Sequence, residues 1–238
     1  MRIITWNCNM AFRKKAKYIL SREPDIVIVP ECEHPSKLLF EADITKPTDS
    51  LWFGRNQHKG LGIFSFSKCR FRVLESHNPK LRTIIPIAVS GMQYDILLFA
   101  IWAYNPQDSD GTYIEQVWKA IHHYGNLLLD GHTILVGDFN SNSIWDKKNR
   151  ESNHSNVTKH LSERGIFSAY HIFHKQIQGK EDHPTFYLYR HRNKPYHIDY
   201  CFASSDLTKK IVSVEVGDFE YWIQHSDHVP LIVEFDLS

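Results

Sequence analysis

Residues 133–140 read Thr133-Ile134-Leu135-Val136-Gly137-Asp138-Phe139-Asn140. Four β-branched or apolar residues run into a glycine, an acid and an amide, the pattern of a strand that ends in a polar cluster. The construction recurs along the chain. Ile3-Ile4-Thr5-Trp6 leads to Asn7, and Ile26-Val27-Ile28-Val29-Pro30 leads to Glu31. His197-Ile198-Asp199-Tyr200 opens a run through Phe202, and Ser226-Asp227-His228 precedes Val229-Pro230-Leu231-Ile232-Val233. Strands are expected at 2–6, 25–29, 62–66, 71–74, 83–89, 94–103, 133–136, 197–203, 211–216 and 229–235. Helical patterns are fewer: 12–21, stopped by Pro24; 109–129; and 153–164, with Gly165 in the terminating position. Many strands with few helices predict an α/β fold of two packed sheets covered by helices, not a strict strand–helix alternation.

At 238 residues and 27.9 kDa the chain suits one domain, 1–238. Hydrophobic residues at 42% and charged residues at 23% exclude disorder and coiled coil. Apolar runs such as 96–103 are too short to span a bilayer, and no signal-peptide pattern is seen at the N-terminus. A net charge of +1 excludes a strongly basic nucleic-acid coat and leaves room for a local basic patch. Cys8, Cys32, Cys69 and Cys201 form no CxxC pair and read as reduced, buried thiols of a cytoplasmic protein. With no linker, repeat or interface helix in the pattern, a monomer is the default expectation.

Antiparallel strands bring opposite strand ends to one sheet edge. Glu31, Asp138, Asp199 and Asp227 can then share one cleft, where four carboxylates repel one another unless a cation sits among them. Carboxylates with an asparagine carbonyl are hard oxygen ligands and favour Mg²⁺ or Mn²⁺ over zinc. A divalent metal, a histidine and an activated water point to phosphoester hydrolysis. No GxSxG supports a serine nucleophile. Singly, Asn7 reads equally as a turn cap, Asp138 with Asn140 as an Asx turn, and His228 as a core histidine.

In order and together, Trp6-Asn7, the Glu31 strand end, Gly137-Asp138-Phe139-Asn140, Ile198-Asp199-Tyr200 and Ser226-Asp227-His228 resemble the endonuclease/exonuclease/phosphatase superfamily over nearly the whole chain. The resemblance implies a four-layer α/β/β/α sandwich of two mainly antiparallel or mixed sheets flanked by helices, with one divalent-metal site. It implies Glu31 as the principal metal ligand, assisted by Asn7 and Asp227. It implies Asp138 as the residue that aligns or deprotonates water, Asn140 as its partner, and Asp199 as the support of His228. Tyr104 matches the phosphate-contacting tyrosine of exonuclease III-like members, where several phosphatase and sphingomyelinase relatives have histidine. The function so implied is a Mg²⁺-dependent phosphodiesterase of nucleic acid, DNA favoured over RNA. The alternative is a phosphatase or phosphodiesterase of a small-molecule or lipid-headgroup phosphoester using the same site. Two motifs of abasic-site endonucleases are absent. Pro30-Glu31-Cys32-Glu33-His34 replaces Gln-Glu-Thr-Lys, and Asn9-Met10-Ala11-Phe12-Arg13 replaces Asn-Gly-Leu-Arg.

Before Asp199, residues 187–196 alternate aromatic and basic side chains. They read either as a solvated hairpin loop or as a nucleic-acid contact in which Arg190 and Arg192 take phosphate. Tyr196 stands where abasic-site enzymes line the sugar pocket. Arg13-Lys14-Lys15-Ala16-Lys17 reads as a solvated helix face. His154, His160, His171, His174 and His183 crowd one region without zinc-ligand spacing and read mostly as structural or exposed.

Overall fold

The structure is a computed structural model that describes residues 1–38, 44–104, 111, 113–129 and 131–237. Its strands are β1 Arg2–Thr5, β2 Ile26–Cys32, β3 Asp49–Asn56, β4 Lys59–Ser65, β5 Arg70–Val73, β6 Ile84–Ser90 and β7 Ile96–Trp102. After these come β8 His132–Asp138, β9 Ile166–Ser168, β10 Phe186–Tyr187, β11 Pro195–Tyr196, β12 Asp199–Ser204, β13 Ile211–Val216 and β14 Leu231–Phe235. The α-helices are α1 Ala16–Leu20, α2 Ile114–His123, α3 His154–Ser162, α4 Ala169–His174, α5 Ser205–Thr208 and α6 Phe219–Trp222.

Two six-stranded sheets form, in the orders β13-β14-β1-β2-β4-β3 and β5-β6-β7-β8-β12-β9. Each holds one parallel pair, β1 with β2 and β7 with β8; the other neighbours are antiparallel. The parallel pairs need crossovers, and α1 and α2 lie in them. Alternation along the strands then builds the layers. Ile3, Ile26, Ile28 and Val233 of one sheet meet Ile85, Leu98, Val136 and Cys201 of the other. The opposite face of the first sheet, with Ile4, Val27 and Val29, packs on Ala16 and Ile19 of α1 and on Trp222. The opposite face of the second, with Phe99, Leu135 and Phe202, packs on Val117 and Ile121 of α2 and on Val157 and Leu161 of α3. β2 and β8 are buried on both faces, which is why both read as unbroken apolar runs. The expected mixed α/β sandwich with flanking helices is present.

Several boundaries differ from expectation. The helix expected at 12–21 is a 3₁₀ turn, Phe12–Lys14, followed by α1. Lys15, at φ −120°, breaks it, and its Nζ turns back to donate to the carbonyls of Cys8 and Asn9. Lys15 therefore does not belong to a solvated face. Of the helix expected at 109–129, positions 109, 110 and 112 lie outside the described residues; α2 runs Ile114–His123, with a separate 3₁₀ turn at Leu127–Leu129. The strand expected at 229–235 starts at Leu231, after Pro230, which has no backbone N–H to donate. No strand was expected at 49–56 or 166–168. Both lie at sheet edges and pair on one side only.

Candidate active site

The register of β8 and β12 sets Asp138 directly opposite Asp199. Directly opposed residues of an antiparallel pair point to the same face, so two wholly buried carboxylates stand side by side. Gly137 makes this possible. Its φ is 146°, and a Cβ there would lie 1.8 Å from the Ile101 carbonyl oxygen of the parallel neighbour β7.

Each carboxylate is held by its own set of partners. Asp138 Oδ2 accepts from Asn7 Nδ2 at 3.0 Å and from Asn140 Nδ2 at 2.8 Å, while Oδ1 accepts from the Asn140 backbone N–H at 2.8 Å. Asn140, at φ 46°, also donates to the Ala103 carbonyl at the end of β7. Asp199 Oδ2 pairs with His228 Nδ1 at 2.8 Å, and its backbone N–H donates to Thr185 Oγ1. Asp199 Oδ1 is buried with no hydrogen-bond partner among the described residues. Trp6 Nε1 donates to the His228 carbonyl, and Ser226 Oγ donates to the Asn7 carbonyl. These two bonds tie the end of β1 to the segment preceding β14.

The electrostatics follow from this burial. Loss of water, then the nearby charge of Asp199, pushes the Asp138 carboxyl up to about 7, against the opposing pull of His228 and the amide donors. Burial alone would lower the His228 imidazole. The charge and hydrogen bond of Asp199, with Asp138 and Asp227 behind them, outweigh that and raise it to about 10. His228 is therefore an imidazolium at neutral pH.

Asp138, Asp199 and His228 place ligand atoms within 4.8 Å of one another, a set that could hold a metal ion only with the imidazole deprotonated. The unsatisfied Asp199 oxygen and the facing carboxylates fit a cation in this neighbourhood. With Glu31, Asn7 and Asp227 the donor set is rich in hard oxygens, which suits a divalent cation.

The remaining expected residues are distributed around this network. Glu31 occupies a bulge between Pro30 and Cys32, at φ 62°, and its Oε1 lies 3.0 Å from Lys59 Nζ. Asp227 Oδ1 accepts from Asn9 Nδ2 at 2.9 Å, and Asn9 N–H donates to Asn7 Oδ1. Tyr104 stacks on Trp102 at 4.6 Å and lines a cavity together with Glu31 and Asn140. Tyr196 packs on Trp145 at 4.9 Å and stacks on Phe186, whose ring is 4.7 Å from His228. Arg190 donates to the Gln224 carbonyl, and Arg192 pairs with Glu220 and covers the Phe219 ring.

Sequence reasoning assigned no role to Lys59, Phe186, Trp145 or Glu33. Glu33 is 2% exposed and accepts from the Phe12 and Arg13 N–H groups and from Arg13 Nη1, which fixes the loop carrying Asn7 and Asn9. Its signal was an acid inside an otherwise buried stretch. His154, His171, His174 and His183 gather around Tyr170 and Tyr200, whereas His160 stacks on His122. His171 pairs with Glu181, His154 bonds Ser141 and Gln178, and His183 bonds the Tyr170 hydroxyl.

The sequence matches the Endonuclease/Exonuclease/phosphatase family over residues 4–228, and the chain belongs to that family of phosphoester hydrolases. Solved structures with the same fold include an AP endonuclease from Archaeoglobus fulgidus, at TM-score 0.73 and 20% identity over 99% of both chains. A 3′-5′ exonuclease from Neisseria meningitidis has TM-score 0.68 and 22% identity over 99% of this chain and 100% of that one. A 3′ phosphatase from Neisseria, bound to a product DNA hairpin, has TM-score 0.65 and 20% identity over 99% of both chains. No curated protein matches by sequence.

Proposed function

We propose that the chain is one catalytic domain, a Mg²⁺- or Mn²⁺-dependent phosphodiesterase of nucleic acid, with DNA favoured over RNA. The observation that carries the reading is the pair of buried assemblies at one sandwich edge: Asn7–Asp138–Asn140 beside Asp199–His228. One structure of the same fold, a 3′ phosphatase, is bound to a product DNA hairpin, which supports a nucleic-acid substrate. Four free, buried cysteines fit a reducing compartment such as the cytoplasm.

Glu31, Asn7 and Asp227 would hold the divalent ion. A divalent ion held there would supply positive charge for the phosphate and for the leaving oxygen. Asn140 and Asp138 orient water for in-line attack. The water oxygen bonds to phosphorus as the ester P–O bond breaks, and its proton passes to Asp138. An acceptor raised to about 7 is matched to that transfer near neutral pH. His228, locked at Nδ1 by Asp199, presents its other ring nitrogen to the phosphoryl oxygen where charge develops. Tyr104 contacts the same phosphate from the β7 side.

The test is cleavage of end-labelled intact duplex, abasic duplex, single-stranded DNA and RNA, with Mg²⁺ or with EDTA. Metal-dependent products absent from Asp138→Asn support the reading, and their pattern names the substrate. Intact nucleic acid with hydrolysis of a soluble phosphoester overturns it in favour of a small-molecule or headgroup phosphoesterase.

A further inference from the structure

Asn9, Met10 and Ala11 are consecutive non-glycine residues with positive φ, at 48°, 62° and 53°. Asparagine tolerates the left-handed region, but in methionine and alanine the Cβ crowds the following carbonyl and disfavours it by about tenfold each. Such a stretch persists only where its surroundings hold it. Met10 follows the asparagine at the place where the Asn-Gly-Leu-Arg motif has glycine.

Two side chains grip the stretch from its two ends. On the entry side, Lys15 Nζ donates to the Cys8 carbonyl at 2.6 Å and to the Asn9 carbonyl at 3.2 Å. On the exit side, the buried Glu33 carboxylate accepts from the Phe12 N–H at 2.6 Å, the Arg13 N–H at 3.1 Å and Arg13 Nη1 at 2.9 Å. Glu33 belongs to Pro30-Glu31-Cys32-Glu33-His34, the other segment that departs from the abasic-site endonucleases. The two departures therefore meet in space. What they hold leads into the active site. Asn9 N–H donates to Asn7 Oδ1 at 3.0 Å, Asn9 Nδ2 donates to Asp227 Oδ1 at 2.9 Å, and Asn7 Nδ2 donates to Asp138 Oδ2 at 3.0 Å.

We propose that Lys15 and Glu33 are positioning residues: together they impose a left-handed stretch that glycine would adopt unaided, and so set Asn7 against Asp138 and Asn9 against Asp227. An ammonium on the entry carbonyls and a carboxylate on the exit N–H groups form charge-assisted bonds, the stronger kind. Both act through the loop, not on the reacting atoms. The effect on turnover rests on the phosphodiesterase reading; the effect on loop order rests on the backbone geometry alone.

The test compares Glu33→Gln and Lys15→Met in the full chain, each with and without Met10→Gly. Turnover is read as kcat and KM for Mg²⁺-dependent cleavage of end-labelled DNA. Loop order is read in EDTA as NMR-detected deuterium exchange of the Asn9 N–H. Each single variant is expected to lose about tenfold in kcat with KM within about threefold, and to exchange Asn9 about tenfold faster while β2 and β8 amides keep their wild-type rates. Met10→Gly, close to wild type by itself, is expected to restore both quantities to within about threefold. Residues that only stabilised the fold would lower the urea midpoint, leave kcat of the folded chain unchanged and gain nothing from the glycine. Unchanged kcat and Asn9 exchange in both single variants, or losses that Met10→Gly does not reverse, overturn the clamp. If Glu33→Gln does not fold, Lys15→Met, at a half-buried position, carries the same comparison. DNA left intact by every chain, the wild type included, overturns the phosphodiesterase reading, and the exchange pattern then decides the clamp.

Discussion

Replacing Asp199 with asparagine removes the charge that holds the His228 proton. The imidazole is raised from 6.5 to about 10 in the intact site, which corresponds to about 5 kcal/mol in favour of the imidazolium. Asparagine keeps the shape but not the charge. Burial then faces only the remaining charges of Asp138 and Asp227, so the His228 value falls well below about 10 and the neutral ring gains population at about pH 8. Loss of one charged donor to a developing oxyanion costs about 10² to 10³ in kcat. The stability effect has a definite sign. A raised folded pKa contributes stability that is complete below about pH 6.5 and is lost as pH rises through about 10. Asp199→Asn should therefore be most destabilising near pH 6 and least so near pH 10. The assay is an NMR titration of the His228 ring in EDTA, with denaturant midpoints across the same pH range and kcat at about pH 8. A wild-type His228 that titrates near 6.5, or a variant within 3-fold of wild-type turnover, would refute the reasoning.

Two other substitutions probe the frame around the site. Gly137→Ala drives a methyl group into the Ile101 carbonyl at 1.8 Å and requires β7 and β8 to separate; a loss of about 3 kcal/mol or more in urea denaturation is expected. Glu181 is nearly buried, which alone would raise its carboxyl, but bonds from His171, the Gly179 N–H and Asn142 hold it down to about 2. Glu181→Gln should cost about 3 kcal/mol at pH 7. Because the folded value is depressed, the wild-type advantage is present above about pH 4.5 and fades as pH falls through about 2, which thermal melts of both proteins would trace.

How much of this was readable in the chain depends on how local the signal is. β2 and β8 announce themselves because both faces of each strand are buried and the residues are nearly all apolar. β3 does not. An edge strand pairs on one side, and Asp-Ser-Leu-Trp-Phe-Gly-Arg-Asn has neither a run nor a clean alternation. The break at Lys15 depends on carbonyls of Cys8 and Asn9, which only the folded loop brings within reach. The network of Asn7, Asp138, Asn140, Asp199 and His228 was legible because each residue sits at or beside a strand end, and strand ends meet at a sheet edge. Lys59 carried no such mark. Its place beside Glu31 comes from the bulge that turns Glu31 out of register with β4. Arg190 and Arg192 matched a compositional pattern for phosphate contact. Their observed partners, however, come from Glu220 and from the Phe219 and Gln224 region, sequence-distant groups that a local pattern cannot rank.

β1 lies between β14 and β2, with Arg2 registered against Glu234. β1 is made long before its neighbour β14, so that edge of the sheet closes late. Through translation Asn7 has no Ser226 beneath its carbonyl, and Asp199 has no His228 to protect its charge. Such distant pairing predicts slow acquisition of structure and long exposure of unpaired strand edges. A product terminated ahead of residue 226 would lack Asp227, His228 and the whole of β14.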